Sequence, residues 1–133
     1  MSEHVIINVP ATTANMGPGY DCLGMALDIW NTVSVDLDSQ SLQILVSGQG
    51  EDILPRDESN LVYRSFQIPF ELLGKEIPPV RLICSNNIPL SRGLGSSSAA
   101  VIGGLVAGNK ICGGQLSQNQ VLQLASQIEG HPD

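Results

Sequence analysis

Residues 89–100 read PLSRGLGSSSAA, and their residue types suit anion binding better than any other segment of the chain. The segment follows a strand-like run and leads directly into a helix-like one. Gly93 and Gly95 allow the backbone to curl so that successive N–H groups point inward around an anion. The unpaired N–H groups and the positive dipole end of the following helix add to that attraction. With three serine hydroxyls after Gly95, the segment favours a polyphosphate ligand.

The glycine-rich segment departs from two well-known phosphate-binding loops. The P-loop of nucleoside triphosphatases requires a Gly-Lys-Ser/Thr sequence, and residues 89–100 contain no lysine. The dinucleotide pattern G-x-G-x-x-G would need glycine at position 98, where this chain has serine. Taken alone, the segment is also compatible with a glycine-rich turn followed by a serine helix cap.

A second shaped loop is predicted at residues 10–24, which read PATTANMGPGYDCLG. Its three glycines and two prolines interrupt a β-branched run. Asn15 and Asp21 are its most prominent polar side chains. A carboxylate can pair with an ammonium group or accept a hydroxyl proton, and an amide can bond a polar group without adding charge. The alternatives are an asparagine that satisfies a local turn and an aspartate that caps a helix.

The terminal segment 129–133, EGHPD, contains a third candidate group. Glu129 stands in helical register with Val121 and Ala125, and therefore near the core-facing side of a predicted helix. It also lies at the carboxyl end of that helix, where a negative charge is disfavoured by about 0.3–1 kcal/mol. A bound cation would compensate this charge. The alternative is an exposed glutamate on a frayed last turn.

Strands are predicted from β-branched runs and from alternation with a period of two residues. Val5–Val9 forms a short run that we expect to close at Pro10. Thr32–Leu37 and Leu42–Val46 alternate on either side of a turn-forming cluster, which predicts a hairpin with one buried face. Val80–Cys84 adds another strand.

The first predicted helix begins at Ser59 or Asn60, residue types that favour the N-cap position. Pro69 lies within its apolar pattern of Val62, Phe66, Phe70 and Leu73, so a kink or break is expected there. Gly74 is well placed to end it.

Two further helices follow, and strands with inserted helices predict the α+β class. The helix over 96–111 carries a stripe of small residues, and each interior glycine costs about 1 kcal/mol of helix propensity. Close approach to a sheet would offset that cost. The stripe consists of Ala100, Gly103, Gly104, Ala107 and Gly108. Ser117 and Gln120 form an S-x-x-Q capping box before the last helix.

Composition and charge exclude several classes of function. The 133 residues are 42% hydrophobic and 14% charged, as in an ordinary single soluble domain. Thirteen acids against six bases give a formal charge of −7, which argues against a nucleic-acid surface. No apolar run approaches the roughly 20 residues that cross a bilayer, and the first residues do not resemble a secretory signal, so we expect a cytoplasmic protein. Cys84 and Cys112 are expected to be buried core thiols.

The twelve-residue string resembles the phosphate loop of the GHMP kinases, the family named for galactokinase, homoserine kinase, mevalonate kinase and phosphomevalonate kinase. The resemblance implies a loop that wraps the phosphates of ATP, with Ser97 placed to bind Mg²⁺. The residues implied to contact ATP are Pro89, Leu90, Ser91, Arg92, Gly93, Leu94, Gly95, Ser96, Ser97, Ser98 and Ala99. Residues 58–63 (ESNLVY) also match the family, which implies that Asn60 contributes to the adenine pocket. Its role as a helix cap is the competing interpretation.

Residues 10–24 narrow the resemblance to the homoserine kinases, whose opening signature is P-A-[ST]-[ST]-A-N-x-G-x-G-[FY]-D. This resemblance implies that Asn15, Asp21 and His131 line the site for L-homoserine. It also implies that Glu129 binds Mg²⁺ together with Ser97. Some members have several more residues between this acid and the histidine that follows, so the short interval here departs from their pattern. Asp21 is the nearest candidate for a general base, and the γ-phosphate itself is the alternative proton acceptor.

The resemblance implies the fold of a GHMP kinase amino-terminal domain, which is ribosomal protein S5 domain 2-like, over residues 1–133. It implies transfer of the ATP γ-phosphoryl group to the hydroxyl of L-homoserine, a step towards threonine, by an enzyme that is commonly a homodimer. Because the family's chains continue into a carboxyl-terminal domain, we expect a truncated chain with little activity of its own. The alternatives are another GHMP small-molecule kinase and a non-catalytic nucleotide-binding module.

Overall fold

The computed structural model describes residues 4–13, 25–88 and 96–129. Four strands and three helices lie in these ranges, and they confirm the α+β class. In chain order they are β1 (His4–Thr13), β2 (Met25–Asp36), β3 (Gln43–Gly48), α1 (Leu61–Leu72), β4 (Arg81–Asn86), α2 (Ser96–Ile111) and α3 (Gln118–Glu129).

The four strands form one mixed sheet in the order β1-β2-β4-β3. β2 runs antiparallel to both β1 and β4, whereas β3 runs parallel to β4. The connection from β3 to β4 is therefore a crossover that contains α1, as a parallel pair requires. The predicted hairpin between Thr32–Leu37 and Leu42–Val46 is wrong, because β4 lies between those two strands. Period-two alternation identifies a half-buried strand, but it does not identify the neighbour with which that strand pairs.

β1 continues through Pro10 to Thr13, so the expectation that it closes at Pro10 is wrong. β1 is an edge strand of the described sheet, and a residue without an N–H donor is tolerated at an edge. The pairing with β2 shifts register directly after this proline, between Pro10 and Ala11. The irregularity accommodates the proline without ending the strand.

The main core lies between one face of the sheet and the helices α1 and α2. Phe66 of α1 is fully buried there, with its ring centroid 6.0 Å from that of Tyr63 and 5.0 Å from that of Phe70. The strands contribute alternate side chains to this core, namely Ile7, Val9, Val33, Val35, Ile44, Val46, Leu82 and Cys84. A second, smaller core joins α2 to α3 through Val101, Leu105, Val121 and Ala125.

α1 is not broken at Pro69, because it continues to Leu72. The proline falls in the last turn, where its missing N–H removes a single bond. Beyond it, the N–H of Lys75 donates to the carbonyl of Phe70 at 2.9 Å, and Gly74 has a φ of +68°. This arrangement is a Schellman motif, and it confirms that Gly74 ends the helix.

The small-residue stripe of α2 packs closely, but not only against the sheet as predicted. A Cβ atom on Gly103 would lie 2.8 Å from a side-chain methyl of Val33 in β2. On Gly104 and Gly108, a Cβ would instead overlap backbone carbonyl oxygens of α1. The two helices therefore contact each other backbone to backbone, and glycine is the residue that permits it.

The described cysteines behave as core residues, as predicted. Cys84 and Cys112 are free thiols, and both are buried. Burial raises the pKa of the Cys84 thiol to about 11, and it also raises the pKa of Cys112. Within the described ranges, no helix is long and apolar enough to cross a membrane.

Replacing Gly104 with alanine should destabilise the protein by about 1–3 kcal/mol. The added methyl gains about 1 kcal/mol of helix propensity but is forced into the backbone of α1, and overpacking of this kind is destabilising. Urea denaturation of the Gly104→Ala variant measures the change. Gly103→Ala is the matched control, because its methyl meets a side chain of β2 rather than backbone, and it should be less destabilising. Equal or greater stability of Gly104→Ala would contradict the close contact.

Stability should fall as the pH rises from about 9 to about 11, partly because of Cys84. In the unfolded chain this thiol ionises near its ordinary pKa of 9, whereas in the folded protein it ionises near 11. The unfolded state therefore binds fewer protons in this window, and the thiol's contribution decreases by at most about 3 kcal/mol. Urea denaturation at pH 8.5 and 10.5 measures the loss. A Cys84→Val variant should lose less stability over the same interval, and equal losses would refute the assignment.

Candidate functional site

The first turn of α2 and the last residue of α3 bring three of the predicted site residues together. The Ser97 hydroxyl donates to Oε2 of Glu129 at 2.5 Å. The hydroxyl of Ser98 donates to the other carboxylate oxygen, Oε1. Ala99 follows in the same turn and is buried. The carboxylate is thus held at the amino-terminal end of a helix by two neighbouring hydroxyl groups.

α3 carries Glu129 to this position through its packing and its capped start. The capping box is formed as predicted: Ser117 N–H donates to Oε1 of Gln120 at 2.7 Å, and Gln120 N–H donates to Oγ of Ser117 at 3.1 Å. The Asn109 side chain bonds both the N–H and the carbonyl of Leu116, at 3.0 Å each, and so ties the connecting loop to α2. These contacts fix the start of α3, and helical periodicity then sets the direction of Glu129.

The electrostatics of Glu129 differ in part from the prediction that a cation would compensate it. Glu129 ends α3, whose last turn contains no basic residue, so its own helix dipole disfavours the charge. However, the carboxylate also lies at the amino-terminal end of α2, where the dipole favours a negative charge. The hydroxyls of Ser97 and Ser98 add two charge-assisted hydrogen bonds. The protein thus contributes to compensating Glu129, which is only partly exposed and is bonded to both serines, unlike the alternative of an exposed glutamate on a frayed last turn. The cation expected at this position stays a prediction.

The donor atoms at this position fit Mg²⁺. Carboxylate and hydroxyl oxygens are hard ligands, and Mg²⁺ is usually held by one or two carboxylates together with water and substrate phosphates. Among the residues that the structure describes, no group of three or more His, Cys, Asp or Glu side chains could hold a metal ion. A cation at Ser97 and Glu129 would therefore need ligands from a nucleotide and from water.

A cavity of about 260 Å³ opens beside Ser97. The described polar residues of its wall are uncharged, and the apolar groups beside them are suited to a flat heteroaromatic ring. The polar lining residues are Asn31, Ser59, Asn60, Asn86 and Ser97, and the apolar ones are Leu54, Pro55, Leu61, Val62, Cys84 and Ala100.

Asn60 caps α1 and lines this cavity at the same time. Its Oδ1 accepts from the N–H groups of Val62 at 2.9 Å and Tyr63 at 3.2 Å, which confirms the predicted cap. Its Nδ2 donates to the carbonyl of Pro55 at 2.9 Å. The adenine contact that the resemblance implies stays a prediction.

Asn31 is a structural residue of the cavity that sequence reasoning missed. It is 6% exposed, and its Oδ1 accepts from the N–H groups of Asn87 at 2.8 Å and Ile88 at 2.9 Å. These bonds hold the chain where it leaves β4. A signal was present in the sequence, because Asn31 lies two residues before Val33 and therefore occupies a core-facing position of β2 with a polar side chain.

Several predicted residues lie outside the described part of the chain. They are Asn15, Asp21 and His131, together with the glycine-loop positions Pro89, Leu90, Ser91, Arg92, Gly93, Leu94 and Gly95. The backbone of Ser96 begins α2, but its side chain is not described. Their roles remain predictions.

Truncating Asn31 to alanine should destabilise the protein by about 1–3 kcal/mol. The change leaves the two N–H groups beyond β4 without their acceptor, and an unsatisfied buried donor costs about that much. Asn8→Ala is the matched control, because Asn8 is an exposed asparagine of β1 whose side chain accepts one hydroxyl bond from Thr32. Its replacement should change the free energy of unfolding by less than about 0.5 kcal/mol. Similar losses for the two variants in urea denaturation would refute the role of Asn31.

Comparison with known proteins gives consistent matches. Residues 60–133 match the GHMP kinases N terminal domain family. The homoserine kinase of Desulfitobacterium hafniense is 53% identical over 129 residues, covering 97% of this chain and 43% of the relative. The homoserine kinase of Carboxydothermus hydrogenoformans is 47% identical over 129 residues, which cover 97% of this chain and 42% of the relative. The chain thus spans less than half the length of these relatives.

Solved structures agree with the sequence matches. The crystal structure of homoserine kinase from Cytophaga hutchinsonii has a TM-score of 0.77 and 31% identity, covering 95% of this chain and 41% of that one. The structure of Methanococcus jannaschii mevalonate kinase matches with a TM-score of 0.71 at 18% identity, and the match covers 97% of this chain and 48% of that one. This similarity shows a shared fold alone.

Proposed function

The chain belongs to the GHMP kinase N-terminal domain family, and we propose that it supplies the nucleotide-binding part of an ATP-dependent kinase that phosphorylates L-homoserine. The observation that carries the proposal is the pair formed by Ser97 and Glu129 at the mouth of α2, beside an uncharged cavity. The similarity to homoserine kinases over nearly the whole chain supports the choice of acceptor.

The chemistry proposed for these residues is positioning and charge compensation. The N–H groups at the start of α2 attract the phosphates of ATP, with residues Pro89–Gly95 as the predicted remainder of that cradle. The cavity lined by Asn31 and Asn60 would receive the base. Ser97 and Glu129 would hold Mg²⁺, which supplies neutralisation of the phosphate charge when it is bound. A protein of net charge −7 has particular need of such neutralisation.

The acceptor side rests on residues outside the described ranges. Asn15, Asp21 and His131 would hold L-homoserine, and Asp21 or the γ-phosphate would accept the hydroxyl proton. The product would be O-phospho-L-homoserine, a step towards threonine. A cytoplasmic location and a homodimer belong to the same proposal.

A second candidate function is nucleotide binding without catalysis by this chain. The observation that favours it is length, because the relatives are more than twice as long as the segment that matches. The two candidates differ in turnover and share the same nucleotide site.

A phosphorylation assay separates these functions. The protein encoded by the complete source reading frame should convert L-homoserine in the presence of ATP and Mg²⁺, and should act weakly or not at all on mevalonate and shikimate. The 133-residue chain, assayed beside it, should show little turnover while still binding Mg-ATP in a calorimetric titration. Activity on mevalonate but not on homoserine would refute the proposed acceptor.

Replacing Glu129 with glutamine should alter the metal dependence of ATP binding. The carboxylate faces the site of the triphosphate and repels it when no cation is present. Removing that charge should tighten binding of metal-free ATP several-fold. Mg²⁺ should increase the affinity for ATP about tenfold less in the variant than in the wild type, because the variant lacks one ligand of the cation. A tenfold change in affinity corresponds to about 1.4 kcal/mol.

Calorimetric titrations with and without Mg²⁺ measure both effects. Glu71→Gln is the control, because it makes the same change of charge at an exposed position of α1. If the two variants behave alike, only the overall charge matters, and the assignment of Glu129 as a ligand is wrong.

A further inference from the structure

We infer that Ser98 is a positioning residue that makes Glu129 a one-oxygen ligand and so favours Mg²⁺ over Ca²⁺. The inference rests on the proposed function, because it concerns the cation that accompanies ATP. It assigns Ser98 a role different from the phosphate contact that the family resemblance implies.

The two oxygens of the Glu129 carboxylate are in different surroundings. Oε2 is bonded to Ser97, an exposed residue whose side chain lines the cavity. Oε1 is bonded to Ser98, which is half-buried in the same turn of α2. Ser97 lines the cavity and Ser98 is not among its described lining residues, so Oε2 is the carboxylate oxygen that is bonded to the cavity wall.

The Ser98 hydroxyl also limits what the carboxylate can do. A hydroxyl has one proton to donate, and here that proton is directed at Oε1. Binding a cation through both oxygens would require the cation to compete with this hydrogen bond. The Ser97 hydroxyl makes the same kind of bond to Oε2. Ser97, however, is exposed, lines the cavity and is itself a proposed ligand, so its hydroxyl would turn its proton away when a cation binds. The inferred mode is therefore binding through Oε2 alone.

One-oxygen binding discriminates between the two common divalent cations. Mg²⁺ is small, requires near-ideal octahedral geometry and uses one oxygen from each carboxylate together with water and phosphate oxygens. Ca²⁺ takes six to eight oxygens and often binds both oxygens of a carboxylate. Holding Oε1 away from the cation therefore removes a ligand that Ca²⁺ would use and Mg²⁺ would not.

The test compares Mg-ATP and Ca-ATP binding by calorimetric titration of the wild-type protein and of Ser98→Ala. The wild type should bind Mg-ATP more tightly than Ca-ATP. In Ser98→Ala we expect the ratio of the two dissociation constants to shift towards Ca²⁺ by about five- to tenfold, with metal-free ATP bound as in the wild type. Ser98→Thr keeps the hydroxyl and should retain the wild-type ratio. Ser97→Ala removes a ligand and should weaken both complexes.

The possible failures are distinguishable. If Ser98→Ala weakens metal-free ATP and both metal complexes by the same factor, Ser98 is a phosphate ligand and the inference is overturned. An unchanged ratio in Ser98→Ala overturns it as well, while the proposed function stands. If the wild-type protein binds no nucleotide at all, the proposed function fails and this inference fails with it.

A second measurement needs no nucleotide. In urea denaturation without metal, the effects of Ser98→Ala and Glu129→Ala on the folding equilibrium should be coupled. The double variant should lose at least about threefold less than the product of the single losses. Strict additivity would mean that the Ser98–Glu129 bond does not hold the carboxylate in solution.

Discussion

The backbone contact between α1 and α2 is the constraint on which the rest of the structure depends. It exists because Gly104 and Gly108 present no side chain to the carbonyl oxygens of α1. The close approach places the capped start of α1, at Asn60, and the first turn of α2, at Ser97, on the wall of one cavity. A wider spacing would separate the residues proposed to receive the base from those proposed to receive the phosphates. The glycines thus serve the site although neither of them touches it.

The order of the strands imposes a second constraint. β4 is a central strand, paired with β2 on one side and β3 on the other, and the chain leaves it towards the glycine-rich segment. Asn31 fixes that exit, because its amide oxygen takes the two N–H groups that follow the end of β4. A polar side chain in a core-facing position is unfavourable unless its bonds are satisfied, and here they are. Asn31 therefore belongs both to the sheet, as a residue of β2, and to the wall of the candidate site.

Local signals predicted a large part of this molecule, and long-range pairing accounts for most of what they missed. The cap at Asn60, the glycine end of α1 and the Ser117–Gln120 box involve residues a few positions apart, so their patterns could be interpreted directly. The place of β4 between β2 and β3 could not, since alternation does not identify a partner strand. In the site, resemblance selected Ser97 and Glu129, which the fold brings together. It did not identify the contact between Ser98 and the second carboxylate oxygen, 31 positions away, because it assigned Ser98 to the phosphates of ATP.

That separation along the chain also has a consequence for biosynthesis. The described residues that line the cavity all lie between positions 31 and 100, so they have been synthesised before Glu129 is added. Domains generally fold as units rather than piece by piece during translation. A nascent chain that has reached α2 therefore contains every described residue of the cavity wall, but it still lacks α3, which packs on α2 and carries Glu129. Translation therefore adds the carboxylate of Glu129 only after the described residues of the cavity wall have been made.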